Sequence, residues 1–168
     1  MRHGFIKVAA ATPDIRVADV DYNKGQIIKQ MDEAAEAGAK IIVFPELCIT
    51  GYTCSDLFWQ ELLLVRAKEE LHKLEEELEE VEGLIIVGLP LEFNQKLYNT
   101  AAVISGGKVL GFVPKHHLPN YAEFYEARHF TAGCAFEGMV NWYGREVPFG
   151  QNLLFAVSYT HLRAHETE

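Results

Sequence analysis

Residues 41–52 read IIVFPELCITGY, in which four apolar residues are followed by a proline and then by an acid, Glu46. An apolar run of this length bounded by Pro is typical of a buried β-strand. Glu46 then lies at the carboxyl end of a strand, where α/β folds tend to place reactive groups. Burial at that point would make the carboxylate a usable base near neutral pH. The alternative is a solvated acid just past a strand.

Residues 109–115 read VLGFVPK and show the same pattern of an apolar run followed by a proline and a charged residue. Here the charged residue is a cation, Lys115. Two strands that each deliver one charged residue after a Pro can bring those residues together. The two segments therefore predict a Glu46–Lys115 pair in one cleft.

These segments resemble the acid and lysine motifs of the nitrilase (carbon–nitrogen hydrolase) superfamily. The first motif is FPE at 44–46 with GY at 51–52, and the second is PK at 114–115 with LP at 118–119. The opening GFIKVAAATP at 4–13 and YAEFYE at 121–126 are similar to the glutaminase domains of glutamine-dependent NAD⁺ synthetases. The resemblance runs from about Phe5 to Ala156. It implies an α/β fold of the superfamily's α-β-β-α sandwich type, incomplete at the C-terminus.

The resemblance implies a role for each matching residue. Glu46 corresponds to the general base and Lys115 to the cation that stabilises the oxyanion, while the nucleophile is a cysteine on a later strand. A thiol needs a base to become a thiolate, and a nearby cation stabilises the developing negative charge. Glu126 matches an additional acid beside the triad, which either orients the lysine or binds the substrate amine. Its alternative is an exposed acid on a short helix.

Aromatic residues follow both motifs. Tyr52 and Tyr121 are predicted to wall the substrate pocket and to offer a hydroxyl to a polar substrate, and Phe124 to line the same pocket. The alternative is that they are ordinary core or rim aromatics. His116 and His117 adjoin Lys115, but the resembled mechanism uses no histidine, so we interpret them as loop residues.

None of the three cysteines fits the nucleophile position. Cys48 and Cys54 precede the lysine motif, and Cys134 lies in a glycine-containing loop without the Cys-Glu-Asp-like context of the superfamily. We interpret all three as reduced thiols that are buried or lie in loops.

The C-terminal residues have a different character. Residues 152–156 begin an apolar strand. Residues 157–168 resemble the translation of a sequencing adaptor, so we interpret them as a foreign tail and exclude them from the domain. The predicted domain therefore covers residues 1–156. His161 and His165, spaced i, i+4 beside Glu166, would otherwise suggest a helical metal site. We predict no metal site there.

The activity implied by the resemblance is hydrolysis of the glutamine side-chain amide, which releases ammonia. In the resembled enzymes a C-terminal synthetase domain uses that ammonia, with ATP and Mg²⁺, to convert deamido-NAD⁺ to NAD⁺. The glutaminase domain itself needs no cofactor, and full-length members usually form homo-oligomers. Two alternatives stay open: a stand-alone nitrilase-type amidase, and a cysteine-less binding module without catalysis.

Composition excludes several classes of protein. The chain has 168 residues, enough for one domain with a core, and a net charge of −9 argues against nucleic-acid binding. No apolar stretch approaches membrane-spanning length. Three unpatterned cysteines and no N-terminal apolar signal region indicate a reducing cytoplasm. The acid-rich run at 75–82 is predicted to be a solvated helix face.

The periodicity predicts an order of β-α-β-α-β followed by a hairpin. Predicted strands cover 5–11, 40–44, 84–89, 97–104 and 108–113, and predicted helices cover 20–37 and about 55–82, the second capped by Ser55 or Asp56. Ser105-Gly106-Gly107 is predicted to be the hairpin turn rather than a phosphate-binding loop. Residues 114–150 are predicted to be mostly loop, and the unfinished sheet is predicted to leave an open edge.

Overall fold

The computed structural model describes residues 5–136, 138–157 and 160–163. The helices are α1 (Val20–Glu36), a kinked 3₁₀ helix (Tyr52–Trp59), α2 (Glu61–Glu77) and a short 3₁₀ helix (Glu126–Arg128). The strands are β1 (Val8–Ala10), β2 (Ile41–Val43), β3 (Leu84–Phe93), β4 (Lys96–Ser105), β5 (Lys108–Pro114), β6 (Gly138–Trp142), β7 (Arg145–Phe149), β8 (Leu154–Val157) and β9 (Thr160–Arg163).

Seven of these strands form one mixed sheet in the order β1-β2-β3-β4-β5-β7-β6. The pairs β1–β2, β2–β3 and β5–β7 are parallel, and the pairs β3–β4, β4–β5 and β6–β7 are antiparallel hairpins. The predicted α/β class and the predicted β-α-β-α-β order followed by a hairpin are therefore confirmed. Strands β8 and β9 form a separate two-stranded sheet.

The two faces of the sheet are covered by different layers. Side chains alternate along a strand, so Ile42 and Ile85 belong to the main core with the helices. Their neighbours Ile41 and Leu84 belong to a second, smaller cluster, where Phe155 packs on the opposite face. The sheet thus has the helices on one side and Phe155 of the two-stranded β8–β9 sheet on the other side.

Helix α1 begins and ends as the sequence predicts. The carboxylate of Asp19 accepts a hydrogen bond from the backbone N–H of Tyr22, which is an N-cap contact. Gly38 follows the helix with a φ of 83°, the left-handed conformation that glycine adopts without strain.

The prediction of one long helix from about residue 55 to 82 is wrong. Ser55 has φ 51° and ψ −131°, which interrupts the first turns, and Gln60 in an extended conformation separates the 3₁₀ helix from α2. Neither Ser55 nor Asp56 caps α2. The ring of Phe58 packs against Phe130, and tertiary contacts of this kind commonly override local helix propensity.

Three strand predictions also need correction. Pro90 does not end β3 but pairs with Asn99 of β4 inside the ladder. Residues 138–149 are not loop, because they form the β6–β7 hairpin that completes one edge of the sheet. The pattern of residues 157–167 predicts no strand, yet Thr160–Arg163 pairs with β8. Gly106 and Gly107 have φ of 53° and 68° and form the predicted hairpin turn.

The acidic side chains at 75–82 are predicted to be solvated. This prediction is wrong for Glu75. Glu75 is buried and accepts hydrogen bonds from the indole N–H of Trp142 (2.6 Å) and the backbone N–H of Val109 (2.6 Å). Its carboxylate also contacts the Arg145 guanidinium and the His72 ring. Burial alone would raise the pKa of Glu75, but these donors outweigh burial and lower it. The ionised acid therefore joins α2 to strands β5, β6 and β7.

Gly88 of β3 allows the residues around Glu46 to lie directly on the sheet. A Cβ at Gly88 would lie 2.7 Å from the backbone oxygen of Pro45 and 2.9 Å from the backbone carbon of Glu46. The carbonyl of Gly88 also accepts the backbone N–H of Ile49 at 3.2 Å. No larger residue fits here without moving the Pro45–Ile49 backbone.

Replacing Gly88 with alanine is expected to lower the free energy of unfolding by about 1–3 kcal/mol, because the added methyl overlaps backbone atoms that cannot rotate away. Urea unfolding followed by circular dichroism measures this change. Gly25 is the matched control, since a Cβ there meets nothing within 4 Å in the middle of α1. Gly25→Ala is expected to stabilise by about 0.5–1 kcal/mol through helix propensity. Equal effects of the two substitutions would contradict the predicted contact.

Candidate active site

Glu46 and Lys115 meet as their positions after two strands predict. The ammonium Nζ of Lys115 lies 2.6 Å from Oε1 of Glu46. The side chain of Glu46 is 40% exposed and that of Lys115 is 23% exposed, so the pair lies at the floor of an open cleft. The expected burial of Glu46 is therefore wrong, because the part of the chain that the structure describes leaves one side of the carboxylate open to solvent.

Glu126 contacts the other side of the same ammonium. Its Oε1 lies 3.0 Å from Nζ of Lys115 and accepts a hydrogen bond from the hydroxyl of Tyr52 at 2.6 Å. Only 5% of Glu126 is exposed, so the alternative of an exposed acid on a short helix is wrong. The ammonium of Lys115 is thus held between two carboxylates that come from distant parts of the sequence.

These contacts keep Lys115 charged. Partial burial alone would lower the pKa of Lys115, but the hydrogen bonds and negative charges of Glu46 and Glu126 outweigh it and raise that pKa above its usual range. Burial also raises the pKa of Tyr52, and the neighbouring Glu126 carboxylate adds to the shift. Near neutral pH the cleft therefore contains a full positive charge and a neutral phenol.

The segment that carries Glu126 is anchored from both sides. The backbone N–H of Glu126 donates to Pro119, and its carbonyl accepts the N–H of Phe130 at 2.9 Å. Phe130 is buried against Phe58, with ring centroids 5.0 Å apart. These contacts hold the short 3₁₀ helix so that the acid points at Lys115 rather than into solvent.

The predicted aromatic residues differ in how close they lie to the charged centre. The ring of Phe124 packs edge-on against Tyr52, with centroids 6.4 Å apart. Tyr121 contacts Phe124 with centroids 5.7 Å apart but is 68% exposed, so it lies at the rim. The structure therefore brings Tyr52 and Phe124 to the cleft and leaves Tyr121 at its edge.

The residue that follows Glu46 carries backbone strain. Leu47 has a φ of 51°, an unusual value for a residue with a side chain, and it is fully buried. The N–H of Gly51 donates to the carbonyl of Leu47 at 2.7 Å. Such conformations persist where the surroundings over-determine them, and they cluster at functional sites. Here the turn aims Glu46 across the sheet.

Asn99 also lies in this cleft, although the sequence did not predict a role for it. Its side-chain amide donates to Oε1 of Glu46, and its backbone carbonyl accepts the N–H of Lys115 at 2.8 Å. The cleft beside these residues has a volume of about 310 Å³, and its lining includes Phe44, Gly88, Thr100 and Val113. Asn99 lies inside a predicted strand next to Tyr98 and Thr100, so no sequence signal distinguished it from its polar neighbours.

The cysteines lie outside this constellation, in agreement with their interpretation as buried or loop thiols. Cys48 is buried and donates to the carbonyl of Gly88, and burial raises the pKa of its thiol to about 12. Burial likewise raises the pKa of Cys54. Cys134 lies in an exposed loop, where its thiol contacts the carbonyl of Phe136. His116 and His117 lie in the loop after Lys115, as predicted.

Within residues 5–136, 138–157 and 160–163, no group of three His, Cys, Asp or Glu side chains is placed to hold a metal ion. His165 and Glu166 lie outside the described residues. No helix in this described part is long and apolar enough to cross a membrane.

Comparison with known protein families gives a match over most of the chain. Residues 7–160 match the family described as carbon-nitrogen hydrolase. A glutamine-dependent NAD(+) synthetase of Mycobacterium tuberculosis is 39% identical over 157 residues, which cover 94% of this chain and 23% of that protein. The chain thus spans about a quarter of the length of the curated relatives it matches.

Solved structures give the same picture of the fold. A crystal structure of a glutamine-dependent NAD(+) synthetase from Cytophaga hutchinsonii matches with a TM-score of 0.86 and 29% identity, over 93% of this chain and 27% of that one. An amidase from Nesterenkonia sp. matches with a TM-score of 0.67 and 23% identity, over 88% of this chain and 56% of that one. The second likeness shows the fold alone.

Replacing Lys115 with methionine is expected to lower the free energy of unfolding at pH 7 by about 1–3 kcal/mol, because two carboxylates lose the donor between them. A raised folded-state pKa means that the contribution of Lys115 is fully present below the unfolded value near 10.5 and is lost as the pH rises through the folded value. The difference between wild type and Lys115→Met, measured by urea unfolding, should therefore stay constant from about pH 6 to 9 and shrink above about 10.5.

Lys108→Met serves as the control for Lys115→Met, because Lys108 is exposed at a hairpin turn. That variant should differ little from wild type at every pH. A loss of stability in Lys115→Met no larger than in this control would show that the three charged groups do not stabilise the fold.

Proposed function

Since the chain belongs to the carbon–nitrogen hydrolase family, we propose that it forms part of the glutaminase domain of a glutamine-dependent NAD⁺ synthetase. The observation that carries this proposal is the Lys115 ammonium, 2.6 Å from Glu46 and 3.0 Å from Glu126. A cation beside a carboxylate base suits amide hydrolysis through a thioester, because the base can activate a thiol and the cation can stabilise the developing oxyanion. The similarity to two synthetases supports glutamine as the amide.

In the proposed reaction Glu46 acts as the general base. Its carboxylate, open to the cleft, takes the proton of a cysteine thiol as the sulfur attacks the side-chain carbonyl carbon of glutamine. The same proton then leaves with the amide nitrogen as ammonia. A water molecule, activated by Glu46, subsequently hydrolyses the thioester to glutamate and restores the thiol.

Lys115 stabilises the negative charge that develops on the carbonyl oxygen in both steps. Its raised pKa keeps the ammonium protonated through the cycle, so it acts as a hydrogen-bond donor rather than as a proton source. The Glu126 carboxylate balances part of the positive charge of the ammonium and directs the ammonium toward Glu46. Tyr52, Phe124 and Tyr121 form the wall on which the polar substrate is expected to lie, and Glu126 is the proposed acceptor for its amine.

The nucleophile of this proposal is not one of the three cysteines of the chain. Cys48 and Cys54 are buried thiols with raised pKa, and a buried neutral thiol is a poor nucleophile. ATP, Mg²⁺ and deamido-NAD⁺ belong in this proposal to a separate synthetase domain, and none of the described residues is assigned to them. A homo-oligomer and a cytoplasmic location remain part of the proposal for the full-length protein.

The 168-residue chain alone is expected to release no glutamate from glutamine above the rate of its Glu46→Ala variant, because the thiol is missing. A coupled glutamate dehydrogenase assay on both purified proteins measures this. Activity above that control would mean that a cysteine of this chain, or another group, serves as nucleophile.

The proposed role of the cleft can be tested in a chimera. Residues 1–156 of this chain would replace the matching segment of the M. tuberculosis synthetase, and NAD⁺ formation would be measured with glutamine and, separately, with ammonia. Glu46→Gln and Lys115→Met in the chimera are expected to lower the glutamine-dependent rate by about 10²–10⁴-fold. The ammonia-dependent rate should stay the same, because added ammonia bypasses amide hydrolysis.

Glu92→Gln, a change of an exposed acid on β3, is the matched control in the chimera and should leave both rates unchanged. A chimera that uses ammonia but not glutamine would contradict the proposed function. Equal loss of both rates in Glu46→Gln would show that Glu46 supports the structure of the whole enzyme rather than amide hydrolysis.

A further inference from the structure

Asn99 occupies a central position between the two charged residues of the cleft. It lies on β4, is 3% exposed, and directs its amide at Oε1 of Glu46. The same oxygen is the one that contacts the ammonium of Lys115. Two donors therefore converge on one carboxylate oxygen, one from the middle of a strand and one from the end of the next strand.

The backbone of Asn99 also holds Lys115. Its carbonyl accepts the N–H of Lys115 at 2.8 Å, which extends the β4–β5 ladder by one residue beyond Pro114. Asn99 thus contacts Glu46 through its side chain and Lys115 through its main chain. A substitution of Asn99 therefore removes the contact with Glu46 and leaves the main-chain hydrogen bond with Lys115 in place.

A glutamate with 40% of its side chain exposed has several rotamers available, and holding it in one of them costs conformational entropy. Lys115 alone does not remove this freedom, because an ammonium is a compact point charge that a carboxylate can contact in several orientations. An amide on a buried strand is rigid, so it selects one rotamer. Because the amide is neutral, it orients the carboxylate without placing a second positive charge beside Lys115.

We propose that Asn99 is a positioning residue that holds the Glu46 carboxylate against the Lys115 ammonium. Its importance for amide hydrolysis rests on the function proposed above, whereas its effect on the ion pair can be measured without any catalysis. Without Asn99 the carboxylate would turn toward solvent for part of the time, and the base and the cation would lose their common geometry.

The test uses the reactivity of Lys115 in the full 168-residue chain. Trace acetylation with acetic anhydride at a series of pH values, followed by peptide mass spectrometry, gives the fraction of each lysine that is deprotonated. Exposed Lys29 on α1 is the internal reference. In the wild type, Lys115 should become reactive at higher pH than Lys29. Asn99→Ala and Asn99→Leu should shift its profile to lower pH, with a rate at pH 9 about threefold above wild type.

Two further variants separate the possible outcomes. Val103→Ala removes buried side-chain volume from the same strand and serves as the structural control. It should lower the melting temperature and leave the Lys115 profile unchanged. Glu46→Gln removes the carboxylate charge itself and should shift the profile at least as far as the Asn99 variants do.

Folded Asn99 variants with a wild-type Lys115 profile would overturn the proposal. Loss of folding in both Asn99→Ala and Asn99→Leu, with Val103→Ala still folded, would also overturn it, because Asn99 would then be a packing residue. If Glu46→Gln leaves the profile unchanged as well, the ion pair itself is absent, and the proposed function loses its basis. A shift in Glu46→Gln alone refutes only the role of Asn99.

Discussion

The structure of the cleft depends on the distance between β2 and β5, which the strand order sets. β2 and β5 are separated by two strands, and strands lie about 4.8 Å apart, so Glu46 and Lys115 start from backbones roughly 14 Å apart. The pair forms because the chain after β2 runs across the sheet instead of away from it. Gly88 on β3 has no side chain and so leaves room for the backbone of Glu46. The positive φ of Leu47 turns the chain across the sheet, and the amide of Asn99 on β4 donates to the Glu46 carboxylate.

This arrangement explains how a charged cluster can lie beside the core. An isolated buried charge is costly, but here each carboxylate contacts the Lys115 ammonium and accepts a hydrogen bond from a neutral donor. Glu126, which is the most buried of the three, accepts from both Lys115 and Tyr52. The carboxylate of Glu46 keeps an open side, as a base that must meet a substrate requires.

The sequence predicted the charged residues better than the framework around them. Glu46 and Lys115 each follow a short apolar run and a proline, a pattern that is visible in a single sequence. Gly88 and Asn99 lie inside strands, where neither periodicity nor turn chemistry marks them. The break between the 3₁₀ helix and α2 was missed because the sequence from Ser55 onward has good helical spacing, while tertiary contacts such as that of Phe58 with Phe130 override it.

Glu75 has a consequence for the order in which the protein is made. Its partner Arg145 lies 70 residues further along the chain. At about 5–20 residues per second, a ribosome needs several seconds to synthesise that interval. During this time Glu75 lacks the Arg145 guanidinium and the Trp142 indole, two of the donors that it has in the folded protein. The full set of partners of this buried acid therefore exists only once the β6–β7 hairpin has been synthesised.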